Sequence, residues 1–340
     1  MIKVKIQNVA KGRNEPTFRP FLFIKNQLRD YSIDITNSND YDYLFIGMQD
    51  FINKRISLKE SINTGLENLS KITGDYFLFD GSDSHSLMGA YEVLKQSNAI
   101  YLFKNQLHKD KKMYKIPKAF GKWYFGDNSG LELSYNIPDE DWNRIKLTGW
   151  NMMSNVPNHK NYQPINLNKS IDVCAIFGSG GGIGYDHEVR NDTMYKEHRE
   201  KIFQELKKLK PKYSIALGSM DWQNYMQTLY NSKICISPFG MGEIRQGDGE
   251  CVQMGTLICK ENMSMFDFGS NVWEEEKTYI PFEYDCSNLV DQLDKVLSNY
   301  NDYKGIVNNM RKKYLEEYSP EKLCKRWYDI FSNMDSVVYE

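Results

Sequence analysis

Between Ser232 and Cys259, two short β-branched and apolar runs, Ile234–Ser237 and Leu257–Cys259, bracket a loop with four glycines and a helix-compatible segment. This is a strand, loop, helix, strand unit, the building block of an open α/β sheet. A loop that leaves the carboxyl end of a buried strand and enters a helix is where such sheets bind ligands, because backbone N–H groups and the helix N-terminus are unpaired there. Glu243, Arg245, Asp248 and Glu250 concentrate charge at that spot. They read either as a ligand loop or as a solvated surface cluster.

The same alternation runs through the rest of the 340 residues, a length that suggests about two domains. Ile2–Ile6 is a strand, followed by a loop with Gly12, Arg13, Asn14 and Glu15 and a helix over Arg19–Leu28. Tyr31–Thr36, Tyr43–Gly47, Tyr76–Asp80 and Ala99–Phe103 are further strands, and Met88–Gln96 is a helix. Ser57–Ile72 is an amphipathic helix with Leu58, Ile62, Leu66 and Leu69 on one stripe. The pattern predicts a parallel, doubly wound first domain. From Leu107 to Ser170 the period is lost, with Trp123, Trp142 and Trp150 scattered, which reads as the end of that domain plus a connection. Periodicity returns at Ile171–Phe177. It continues through a helix over Glu188–Leu209, a strand at Tyr213–Leu217, a helix capped by Asp221, a strand at Tyr279–Phe282 and closing helices from Ser287, Asp302 and Ser319. The expected division is 1–165, 166–318 and a final helix in 319–340.

Composition narrows the function classes. A formal net charge of -2 argues against a general polyanion-binding surface, so nucleic acid is not expected as a partner. The six cysteines and five histidines show no metal-ligand spacing, which predicts reduced, buried thiols in a cytosol-like compartment and no metal. Met1 runs into IKVKI rather than a signal peptide, and no apolar run reaches the roughly 18 residues that span a bilayer, so a soluble cytoplasmic protein is expected. Aromatic residues at 14% suit either ring stacking on sugars or an aromatic core.

The glycine run Gly178 to Gly184 follows a strand but fails the dinucleotide spacing, since the third required glycine falls on Ile183 or Tyr185. It also lacks the Lys-Ser or Lys-Thr of a Walker loop. What it offers is backbone N–H groups at Gly180, Gly181 and Gly182 that approach phosphate oxygens, with Arg190 and Arg199 to neutralise charge; the alternative is a flexible connection. Asp40/Asp42 precede an apolar strand and Asp139/Asp141 open a helix, so neither pair is read as a metal site. Asp80, Asp83 and His85 end a buried strand, where they serve either as a base or clamp or as turn residues bonding their own backbone.

Taken together, Tyr225–Ile258 resembles the donor-binding segment of GT-B glycosyltransferases, both the group-one superfamily and the exostosin-like proteins. A helix with an aromatic leads into a strand ending in Ser-Pro, a glycine loop and a glutamate, here Glu250, five residues before Gly255-Thr256. Tyr318–Phe331 resembles the closing helix of such enzymes. Glu243 and Glu250 are separated by six residues where many retaining members have seven, which leaves retaining and inverting chemistry both open.

The resemblance implies two Rossmann-like doubly wound domains facing each other across a cleft. It also implies a UDP- or GDP-linked sugar donor used without a metal or other cofactor, a glycan or other hydroxyl acceptor, and a role in glycan biosynthesis. By that resemblance Glu250 accepts hydrogen bonds from the ribose hydroxyls. Gly240, Gly242 and Glu243 lie against the sugar and diphosphate, and Gly180, Gly181, Gly182, Arg190 and Arg245 contact phosphate. Asp83, His85 and Glu15 are the candidate bases. Two alternatives stand beside it: a non-catalytic carbohydrate-binding or scaffold protein of the same fold, and an NAD-dependent oxidoreductase resting on the glycine run.

Overall fold

In the first 150 residues, strands and helices alternate along the chain as β1 (Ile2–Gln7), α1 (Glu15–Phe23), α2 (Lys25–Leu28), β2 (Ile33–Thr36), β3 (Tyr43–Gly47), α3 (Leu58–Leu69), β4 (Tyr76–Asp80), α4 (Ala90–Gln96) and β5 (Leu102–Lys104). After them come β6 (Leu107–His108), β7 (Lys118–Ala119), β8 (Glu132–Leu133), α5 (Asp139–Trp142) and β9 (Ile145–Leu147). The computed structural model describes residues 1–7, 15–48, 58–82, 84–87, 89–119, 122–124, 132–150, 162–177, 196–240 and 242–334. One parallel sheet runs β2-β1-β3-β4-β5-β9. All five residues of β4, YFLFD, are buried. The first four form an unbroken apolar run because helices cover both sheet faces. Leu78 packs with Leu44 and Leu102 on one face, Phe77 and Phe79 with Phe45 and Phe103 on the other.

The second half repeats the plan with β10 (Ile171–Ile176), α6 (Lys196–Leu209), β11 (Ile215–Gly218), α7 (Trp222–Asn231), β12 (Ser232–Ile236), α8 (Gln246–Met254), β13 (Leu257–Glu261), β14 (Phe266–Asp267), β15 (Ile280–Phe282), α9 (Leu289–Ser298), α10 (Tyr300–Glu317) and α11 (Pro320–Met334). Its parallel sheet runs β11-β10-β12-β13-β15. α11 returns to the first domain. Its Leu323, Cys324, Trp327 and Phe331 join the core of Val4, Phe45 and Phe79, and the Trp327 ring lies 5.1 Å from that of Trp150.

Two doubly wound, Rossmann-like α/β domains therefore meet, with loops from the carboxyl ends of both sheets in contact. The backbone and ring of His85, after β4, bond the carboxylate of Glu243, after β12, and β6 pairs antiparallel with β14. This is the GT-B arrangement implied by the resemblance.

Three local expectations change. The helix expected over Arg19–Leu28 starts at Glu15 and is divided at Ile24, with Pro20 inside its first part. Within Leu107–Ser170, β9 supplies the sixth strand of the first sheet. The four-glycine loop is shorter, because α8 begins at Gln246 and takes in Gly247 and Gly249. Asp248 causes this early start. Its Oδ2 accepts the Arg245 N–H at 2.8 Å, satisfying a donor that the first turn leaves free, and its Oδ1 accepts the Ser237 hydroxyl at 2.5 Å. At the other end, Arg311 of α10 donates to the carbonyls of Val252 and Gln253 at 3.1 and 2.9 Å.

Candidate functional site

In the second sheet the chain goes from β10 outward to β11 and then back across to β12, so the strand order reverses beside β10. A crevice forms at such a switch point because the two crossovers leave in opposite directions. A cavity of about 590 Å³ lies there, lined by Phe177, Arg199, Trp222, Gly240, Arg245 and Glu250 among others. Phe177 continues β10. The guanidinium of Arg199, on α6, lies 5.5 Å from its ring centre, and that of Arg245, just before α8, lies 5.8 Å from it. Gly240 lets the backbone approach closely: a Cβ there would stand 3.1 Å from an Arg199 nitrogen. Two guanidiniums and the first turn of α8 thus make one wall cationic.

Glu250 stands one turn into α8. Burial raises its pKa, while bonds with Tyr225 and Gln246 and the charge of Arg245 pull it down and only partly offset the rise. Trp222, the first residue of α7, keeps about half its surface exposed beside the cavity. The arrangement can hold a polyanion on one side, accept hydrogen bonds at Glu250 and offer an aromatic face.

Beneath this wall, Lys260 is fully buried and its ammonium sits 3.2 Å from Asp248 and 2.8 Å from the Ser237 carbonyl, tying the ends of β12 and β13 to the start of α8. Both oxygens of Glu261 accept the Phe239 N–H at 3.0 Å, and Oε1 pairs with His198 at 2.6 Å. In the first domain, Lys104 bonds Asp80 at 2.7 Å and the Ser86 carbonyl at 2.6 Å, and so shapes the loop that carries His85.

Glu243 has a different place. It is fully buried and accepts bonds from the His85 N–H (2.9 Å), His85 Nδ1 (2.7 Å), Gln106 Nε2 (2.9 Å) and the Tyr124 hydroxyl (2.7 Å). Burial alone would raise its pKa, but His85, Lys122 and Gln106 outweigh it and bring it down to about 2. A carboxylate facing Nδ1 keeps the proton on that nitrogen. His85 is 2% exposed within this network and does not line the cavity.

Of the residues singled out by sequence, Gly240, Arg245 and Glu250 share the cavity with Arg199, and His85 and Glu243 form the separate buried pair. Gly242 closes the loop by accepting the Gly240 N–H at 3.1 Å. Asp83, Gly180, Gly181, Gly182, Arg190 and the Glu15 side chain lie outside the described residues. Phe177, Trp222 and Tyr225 were not singled out by sequence; each reads there as an ordinary core or helix aromatic. Among the described residues no group of three or more His, Cys, Asp or Glu could hold a metal ion, and no helix is long and apolar enough to cross a membrane.

No protein-family model matches the chain, and no curated protein matches its sequence. Solved structures do resemble it in fold. An alpha-glucosyltransferase in complex with UDP-glucose and DNA containing an abasic site is 11% identical, over 97% of this chain and 98% of that one, with a TM-score of 0.49. A sucrose-phosphate synthase from Thermosynechococcus elongatus is 12% identical over 96% and 81%, with a TM-score of 0.46. A UDP-GlcNAc 2-epimerase from Neisseria meningitidis bound to UDP-GlcNAc is 11% identical over 98% and 99%, with a TM-score of 0.46. Two further alpha-glucosyltransferase structures contain a 13-mer DNA. These DNA complexes correct the expectation drawn from net charge: a near-neutral total does not exclude nucleic acid as a partner, because local surface rather than the sum decides contact.

Proposed function

We propose that the chain binds a nucleotide sugar in the cavity beside β10 and transfers its sugar to a hydroxyl acceptor, with saccharides and nucleic-acid hydroxyls both within the acceptor class. The observation that carries this reading is the convergence of Arg199, Arg245 and Glu250 on one cavity at the point where the strand order reverses. Departure of a nucleoside diphosphate concentrates negative charge, and preorganised guanidiniums and helix N–H groups stabilise it without reorganising. In this reading Arg199 and Arg245 hold the diphosphate, Glu250 accepts from the ribose hydroxyls and Trp222 offers its face to the base.

Calorimetric titration with UDP-glucose and GDP-mannose tests it, repeated on Glu250→Ala and Arg245→Ala. Binding by the parent and a loss of about tenfold or more in each variant is the expected result, since each removes a charged hydrogen-bonding group. If neither nucleotide sugar binds, or both variants bind as the parent does, the assignment fails.

A further inference from the structure

A second cavity, of about 410 Å³, opens at the carboxyl ends of β13 and β15, between Trp123 and the residues Glu261, Glu283, Tyr284 and Asp285. None of these is assigned to the donor. The segment Lys122–Tyr124 reaches over from the first-domain sequence and packs on the second: the Tyr284 hydroxyl donates to the Tyr124 carbonyl at 2.6 Å. The aromatic walls are fixed. Trp123 meets Tyr284 edge to face at 5.3 Å, and Tyr284 stacks flat on His198 at 4.1 Å and 11°.

The polar groups are of two kinds. The Trp123 indole N–H is buried and has no hydrogen-bond partner among the described residues, although buried donors are nearly always paired. Glu283 and Asp285 present exposed carboxylates immediately after β15, and bonds from Ser287 lower the pKa of Asp285 and keep it ionised. A ligand matching this set needs apolar faces for the rings, hydroxyls that donate to carboxylates, and no negative charge of its own. A neutral saccharide has all of these.

We propose that this cavity is a saccharide-binding subsite. It adjoins the donor cavity through two direct links: Glu261 holds the N–H of Phe239, next to Gly240, and His198 precedes Arg199 on α6. The name acceptor subsite rests on the nucleotide-sugar reading; the binding of saccharide does not.

The test uses the full chain labelled with 15N, whose six tryptophans each give an indole resonance. Maltose, cellobiose and N,N′-diacetylchitobiose are titrated to about 20 mM, a range suited to weak sugar binding, with and without UDP and with a short DNA duplex as a separate arm. The expected result is that at least one disaccharide moves the resonance that is missing from the Trp123→Phe spectrum. Glu283→Gln then weakens that disaccharide by about fivefold, the value of one hydrogen bond, while UDP affinity is unchanged in both variants. The proposal is overturned if no disaccharide moves that resonance, if Glu283→Gln leaves the affinity as it was, or if DNA moves it and the sugars do not. A disaccharide that moves it in a chain that binds no nucleotide sugar would leave the subsite standing and remove the donor reading.

Discussion

Burial is the largest influence on Glu250 and raises its pKa, so a carboxylate is held there at some expense to the fold. The penalty is fully present above the raised folded value and vanishes below the ordinary value of 4.5, where the group is protonated folded or unfolded. Glu250→Gln is therefore expected to melt at pH 7 no lower than the parent, with the difference closing at acid pH, while nucleotide-sugar affinity falls. A melting temperature that drops together with affinity would mark Glu250 as structural. Glu243 behaves oppositely. Its folded pKa lies near 2, so its contribution is complete above 4.5 and is lost as pH falls through 2. Glu243→Gln leaves His85 facing an amide, and removing one partner of a buried pair costs about 3 kcal/mol or more. Urea unfolding at pH 7 should show that loss, and the gap to the parent should narrow markedly by pH 2. The two glutamates also differ in how far sequence reaches them. Glu250 stands out through its short distance to Gly255-Thr256, a local relation. The partnership of Glu243 with His85 joins residues 158 positions apart and has no local trace.

At the scale of elements, legibility follows length and burial. β4 announces itself because five consecutive buried residues must all be apolar or end-capping. β9 does not, because the three residues Ile-Lys-Leu are too few to show a period and only the neighbouring β5 recruits them. The start of α8 is hidden because two glycines suggest a loop, whereas Asp248 supplies enough local bonding to begin a helix through them. Asp248→Ala removes the bond to Arg245 N–H and strands the fully buried Lys260 without a carboxylate. A lost cap costs about 1 kcal/mol and an uncompensated buried charge about 3 kcal/mol more. Replacing both residues, as Asp248→Ala with Lys260→Met, is expected to recover most of the second part. Denaturant titration of the two single variants and the double variant measures the coupling, and strictly additive losses would show that the pair is not what holds α8.

Across the whole molecule, several contacts join the two domains, among them the Glu243 network, the β6–β14 pairing, the Tyr284–Tyr124 bond and Arg326. Arg326 sits on α11, a helix of the closing segment whose apolar face belongs to the first domain. It donates to the carbonyl of Gly149 at 2.5 Å, at the end of the first domain, and to that of Gly269 at 2.6 Å, in the second. Gly269 has φ of +60° and a Cβ there would stand 3.2 Å from the Gly149 Cα, so any side chain there would be strained and would crowd the place where the two backbones meet. Burial lowers the pKa of Arg326, a sign that the site desolvates a cation it then satisfies with carbonyls, with Glu317 at 4.0 Å as the nearest carboxylate partner. Arg326→Ala removes this clamp yet leaves Leu323, Trp327 and Phe331 in the first-domain core, so each domain keeps its own packing. The two should then move more freely about the Gly149–Gly269 contact. Small-angle scattering is expected to show a larger radius of gyration than the parent, with far-ultraviolet circular dichroism unchanged, and the Glu243→Gln variant should widen the difference because it releases the cleft side of the same interface. If scattering from Arg326→Ala matches the parent, the other contacts between the domains, the Glu243 network, the β6–β14 pairing and the Tyr284–Tyr124 bond among them, hold them without it, and Arg326 serves only to satisfy two carbonyls.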